Sequence, residues 1–162
     1  MIKYINIEEN DKFFSYTQKF DLIDSQILIS NKFYENKHQF FWENNKSDQT
    51  FIGFGSIDKI EIYNASELKK IKSIISQKLN TIIDISENEY ISPKFFGGFA
   101  FDINSKSFNN WNNFPRGYFI LPECIITSDK NCTFISIIKK ITHQLTPEMI
   151  YNEIKMIYTV IF

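Results

Sequence analysis

The chain has 162 residues, 43% of them apolar and 23% charged, with no tract rich in proline, glycine or serine. That excludes a disordered or fibrous protein and fits one globular domain with a core of its own. Eighteen cations against nineteen anions leave a formal net charge of −1, which provides no field to draw in nucleic acid.

In chain order, Ile7 to Phe20 sets the acids Glu8, Glu9 and Asp11 ahead of Phe13, Phe14, Tyr16 and Phe20. That order suggests a short helix. The β-branched and aromatic runs Leu22 to Tyr34 and His38 to Glu43 read as two strands. After a polar connector, alternation from Phe51 to Tyr63 predicts a third strand, with Gly53 and Gly55 marking a bulge or a close backbone approach. Ser66 is placed as the N-cap of a helix over 66–80, with Leu68, Ile71, Ile74, Ile75 and Leu79 along one face beside Lys78.

Ser92-Pro93 then breaks the chain before an aromatic strand, Lys94 to Asp102, which has Gly97-Gly98 at its middle. An Asn-rich loop carries Trp111 and Phe114 as apolar anchors, and Tyr118 to Thr127 with Cys132 to Ile141 form an expected hairpin around Asp129-Lys130. Pro122 implies an edge or a bulge in the first of these strands. Thr146-Pro147-Glu148 opens a last helix through Met149, Ile150, Ile154, Ile157 and Tyr158, with no stop signal before Val160, Ile161 and Phe162. The sum is an α+β chain: a mostly antiparallel sheet of about five or six strands with two or three helices.

No window approaches the run of about eighteen apolar residues that a spanning helix needs, and Met1 to Asn10 has no leader-like apolar core. The expected setting is therefore cytoplasmic, with no membrane partner. Cys124 and Cys132 have no metal-ligand spacing, and neither His38 nor His143 lies near enough in sequence to complete a cluster. A hairpin that set Cys132 opposite Thr127 would point the two thiols to opposite faces and prevent a bridge.

Catalytic constellations are not legible. GFG at Gly53 to Gly55 and Gly97-Gly98 complete no phosphate-loop pattern and read as strand glycines. The acidic pairs Glu8/Glu9, Asp21/Asp24 and Glu87/Glu89 sit in polar surroundings typical of solvated loops. Arg116 is the single arginine among eighteen cations, a poor endowment for gripping a carboxylate-bearing substrate bidentately. The rings of FFGGFAF are interleaved with glycine and alanine rather than with cations, as in a close-packed sheet and not a base-stacking surface.

One set of segments is more specific. KFFGGFAFD at Lys94 to Asp102, Trp111, Phe114-Pro115 and FILPE at Phe119 to Glu123 resemble the N-terminal region of isochorismate synthases. These belong to the chorismate-utilising family that also contains the anthranilate and aminodeoxychorismate synthase large subunits. The upstream FIGFGS at Phe51 to Ser56 resembles the same family's earlier glycine-bearing strand. The resemblance implies part of the anthranilate synthase component I-like fold, with Gly97, Gly98, Asp102, Pro122 and Glu123 as scaffold positions. Gly97-Gly98 would admit a neighbouring element where a Cβ would clash. Asp102 would accept N–H bonds at the strand end or stand in solvent. Glu123 would be an inward contact or, preferably, an edge charge.

The resemblance also implies what should lie elsewhere. In this family a larger C-terminal chorismate-binding domain supplies a lysine general base, a glutamate general acid, carboxylates for Mg²⁺ and basic groups for the substrate. None of these maps onto a position in this chain. The expectation is one N-terminal domain or fragment over 1–162, without cofactor or catalytic residue of its own and inactive alone. Its partner would be the C-terminal domain or a separate catalytic chain, in an enzyme turning chorismate into isochorismate for menaquinone or siderophore synthesis. The alternatives are a large subunit of anthranilate or aminodeoxychorismate synthase, cut in the same way and related to tryptophan binding, or a non-catalytic binding module that pairs with a separate catalytic chain. A docking module would leave apolar surface around Phe51 to Ile60 or on the last helix.

Overall fold

The computed structural model describes residues 12–24, 38–44, 48–84, 93–103 and 114–141, with Ile29, Met149, Asn152 and Met156 as isolated positions. The elements are β1 (Phe13–Asp21), β2 (Gln39–Asn44), β3 (Gln49–Phe54), β4 (Asp58–Ile62), α1 (Ala65–Leu79), β5 (Ile82–Asp84), β6 (Phe96–Phe99), β7 (Gly117–Leu121), β8 (Cys124–Ser128) and β9 (Cys132–Lys140). They form a six-stranded sheet in the order β2-β3-β8-β9-β1-β5 and a three-stranded sheet, β4-β7-β6. Every pairing is antiparallel except β1 with β5. The α+β class and the mostly antiparallel character hold. The strand count among the described residues is higher than expected because two segments read as single strands each divide between the sheets, and because β1 and β5 are strands that the sequence did not suggest.

The expected helix over Ile7 to Phe20 is instead β1, paired with β9 on one side and β5 on the other. Phe14, Tyr16 and Phe20 recur at even spacing and all pack on the same core cluster, so the period is two rather than 3.6. The acids that suggested a helix start lie outside the described residues. The strand expected from Leu22 is also corrected where it is described: Leu22–Asp24 belong to no strand and Ile29 is helical, while its other positions lie outside the described residues. His38 to Glu43 does become a strand, β2. Of the last helix, Met149, Asn152 and Met156 are helical and exposed; Trp111, His143, the acids of Glu87/Glu89 and the remaining positions of that helix lie outside the described residues. Phe114 is no core anchor, being 60% exposed.

The N-cap of α1 lies two residues earlier than its sequence suggests. Asn64, not Ser66, is the cap: its side chain accepts the Glu67 N–H at 3.0 Å, while Glu67 returns a carboxylate oxygen to the Tyr63 N–H at 2.7 Å. This reciprocal arrangement satisfies donors that the first turn would leave open. The apolar face predicted for the helix is present but only half-buried, and no residue of α1 is fully buried. Lys78 ties it to β4 through an ion pair with Asp58, 2.6 Å.

The core lies against both faces of the large sheet. Phe14, Ile52, Phe54, Cys124, Ile126, Ile135 and Ile137 fill one face. Phe13, Leu121, Ile125 and Ile138 fill the other, with Ile57, Ile82, Phe95 and Phe96 packed against them. This second cluster joins the two sheets and explains why β8 and β9 read as continuous apolar runs. In the β8–β9 hairpin Thr127 faces Phe134, two residues from the expected register. A slip of two preserves the side of every side chain, so Cys124 and Cys132 do point to opposite faces, in separate clusters.

Candidate functional site

The chain passes between the sheets at two places, and these places meet. β3 gives way to β4 through Gly55–Ile57, and β7 gives way to β8 through Pro122-Glu123. The Glu123 N–H donates to the Phe54 carbonyl at 2.9 Å, the Ile57 N–H to that of Leu121 at 2.9 Å, and the Ile138 N–H to that of Glu123 at 2.8 Å. The Gly55 N–H donates to the His38 carbonyl at 2.8 Å. FIGFGS and FILPE, distant in sequence, are thus stitched into one junction.

Local chemistry dictates both crossings. Gly55 has φ +74°, the left-handed region that favours glycine. A Cβ there would also lie 2.8 Å from Cδ and 2.9 Å from Cγ of Glu123. Pro122 has no N–H with which to continue a ladder, and its ring is almost wholly buried. It therefore ends β7 at the junction and marks neither a sheet edge nor a bulge.

The third motif reaches the same place through aromatic rings. Phe40 lies directly across from Gly53 in the β2–β3 ladder, and a Cβ on Gly53 would overlap its ring. In that space Phe40 stacks on Phe96 of the other sheet, with centroids 5.7 Å apart and planes at 11°. Phe96 also meets Phe51 at 6.1 Å, and Phe51 meets Trp42 at 5.5 Å. Lys94 Nζ lies 5.5 Å from the Phe51 centroid, a cation over a ring face. Burial draws this half-buried amine below the ordinary lysine range, with the Asp84 carboxylate pulling it back.

The scaffold positions expected from sequence separate here. A Cβ on Gly97 would overlap the backbone of Tyr118 and Phe119, whereas one on Gly98 would meet open space; the double glycine is one requirement and one bystander. Asp102 is exposed beyond the end of β6. Glu123 is half-buried at the crossing and not on a sheet edge. Phe51 to Ile60 is not an open apolar surface, since Ile52, Phe54 and Ile60 are buried. Sequence reading missed Phe40 and Phe96 as the rings that join the sheets; a large ring facing a strand glycine is the signal that would have found them.

What this junction can do chemically is hold two sheets in fixed relation. Among the described residues no three His, Cys, Asp or Glu side chains converge as a metal-ligand set. The described residues present no ligand set that would fit Mg²⁺. Among the described residues no helix is long and apolar enough to cross a membrane.

Residues 1–161 match the family model of the chorismate binding enzymes. Isochorismate synthase MenF of Bacillus subtilis (strain 168) is 23% identical over 133 residues, covering 76% of this chain and 28% of the relative. The solved structure of MenF, the menaquinone-specific isochorismate synthase from Escherichia coli, aligns with a TM-score of 0.44 and 14% identity, over 83% of this chain and 27% of that one. The chain thus spans just over a quarter of the length of either protein. Matched over residues 1–161, it belongs to the chorismate-binding enzyme family.

Proposed function

We propose that this chain is the N-terminal scaffold portion of an isochorismate synthase and is inactive alone. The observation that carries the reading is the junction: the three segments that resemble isochorismate synthases converge on one packing site built of glycine, proline and aromatic rings. Its chemistry is that of a support, not of proton transfer to a ring substrate. Conversion of chorismate to isochorismate, with Mg²⁺ and a lysine and glutamate acting on water and the departing hydroxyl, belongs in this proposal to the remaining portion of the enzyme. That portion would be supplied as a C-terminal domain or as a separate catalytic chain.

The test is direct. Purified chain incubated with chorismate and Mg²⁺ is expected to give no isochorismate above the uncatalysed background. Turnover that survives repurification, and that responds to substitutions in this chain, would overturn the proposal.

A further inference from the structure

β2 stands at one end of the order β2-β3-β8-β9-β1-β5, so among the described residues its ladder partner is β3 alone. None of its residues is fully buried: Gln39, Phe41, Trp42 and Glu43 are exposed, and Phe40 and Asn44 are half-buried. β3 differs, since Ile52, Gly53 and Phe54 are buried and its other side is paired with β8. Beyond its ladder, β2 grips the core through Phe40, whose ring fills the space over Gly53 and stacks on Phe96 of the small sheet. Few buried contacts and a solvent-facing ladder mark a segment that can open by itself.

The register tells which bonds such an opening breaks. The Gly55 N–H donates to the His38 carbonyl, and hydrogen-bonded pairs alternate along an antiparallel ladder. The bonded pairs are therefore Phe40 with Gly53 and Trp42 with Phe51. Ile52 and Phe54 turn the opposite way, toward β8. The bonds from Glu123, Ile57 and Ile138 that stitch the crossings lie outside the β2 ladder.

We propose that β2 is a strap that leaves and rejoins β3 while the rest of the fold stays closed, with the Phe40 ring as its latch. Release lifts Phe40 off Gly53 and Phe96 and bares the outer edge of β3, yet leaves both crossings sewn.

Amide hydrogen exchange on the full chain, read residue by residue, tests this. Protection within β3 should alternate: Phe51 and Gly53 should exchange together with Phe40 and Trp42, about tenfold or more faster than Ile52 and Phe54. Exchange in the β2 ladder should depend little on added urea, because its opening exposes little surface. Phe40→Ala should speed exchange at Trp42, Phe51 and Gly53 by about tenfold, and Phe40→Leu, which keeps apolar bulk without the stack, by less. Ile138→Val thins the core beneath β9 and should speed exchange across β8 and β9 by about threefold or more. It should leave the β2 ladder unchanged, because the closed and opened forms share that core. Uniform protection through β3, or β2 amides that follow Ile138→Val as those of β9 do, would mean that β2 parts only when the whole chain unfolds, and would overturn the proposal. So would exchange in the β2 ladder that neither Phe40 variant moves.

Discussion

Gly97 lies so close to β7 that an added Cβ would overlap the carbonyl oxygen of Tyr118, while a Cβ on its neighbour Gly98 would meet none of the described atoms within 4 Å. Here the obstacle is backbone, which cannot swing aside as a side-chain tip can. Gly97→Ala should therefore cost roughly 2–4 kcal/mol by forcing β6 away from β7. Gly98→Ala should change stability by no more than about 0.5 kcal/mol, as open surface substitutions do. Denaturant midpoints of the two variants, compared with the parent, check the asymmetry. Equal effects would show that the glycine pair acts as a unit.

Gly55 faces two constraints that can be separated. Its φ of +74° costs a Cβ-bearing residue about 1–2 kcal/mol. The Glu123 side chain adds a steric term, since it occupies the space a Cβ would need. Gly55→Ala should be destabilising through both. In a Glu123→Ala background the same substitution should retain only the backbone part. A double-mutant cycle on urea unfolding reads this as a positive coupling between the two positions; strict additivity would contradict it.

How much of this was legible in the sequence varies with what each residue depends on. α1 was readable because the spacing of Leu68, Ile71, Ile75 and Leu79 is a local property, and its cap was missed by two residues because Asn64 and Ser66 are both good cap residues. β1 was misread because a few acids ahead of Phe13 outweighed a period of two that its own aromatics display. Phe51 to Tyr63 and Tyr118 to Thr127 each read as one strand because a crossing between sheets leaves composition unchanged. Gly55 and Pro122 mark the breaks, yet their meaning appears only once Glu123 is seen against Phe54. The partnership of Gly53, Phe40 and Phe96 depends on register and tertiary packing, which no local window contains.

The face of the large sheet that carries Ile125 and Ile138 also holds four hydroxyls. Thr17 and Ser136 satisfy each other at 2.7 Å, but the buried Ser15 Oγ and Thr127 Oγ1 have no hydrogen-bond partner among the described residues. A buried hydroxyl without a partner costs about 1–3 kcal/mol of desolvation. Thr127→Val keeps the shape and removes the polar atom, so it should stabilise the fold by about 1 kcal/mol. Thr17→Val, which strands Ser136, should instead destabilise by a similar amount. Melting temperatures moving in opposite directions would bear this out; a loss of stability in Thr127→Val would reveal a partner for that hydroxyl.

Asp129 organises the β8–β9 turn and governs the thiol beside it. Its carboxylate accepts the N–H groups of Asn131 at 2.7 Å and Cys132 at 3.0 Å, and these bonds hold it below the ordinary carboxylate range. A depressed folded-state value means stability that is present above the unfolded value and lost as pH falls through the folded one. The stability gap between the parent and Asp129→Asn should thus be full above about pH 4 and close on acidification below it. The same carboxylate, together with burial as the larger cause, pushes the Cys132 thiol upward. Since the thiolate is the reactive form, Cys132 should react slowly with a disulfide reagent at neutral pH in the folded parent. Asp129→Asn should raise that rate, an effect a purely structural role in the turn would produce only alongside faster labelling of the buried Cys124. Separate labelling rates for the two thiols distinguish the outcomes, and a Cys132 rate indifferent to Asp129 would refute the electrostatic account.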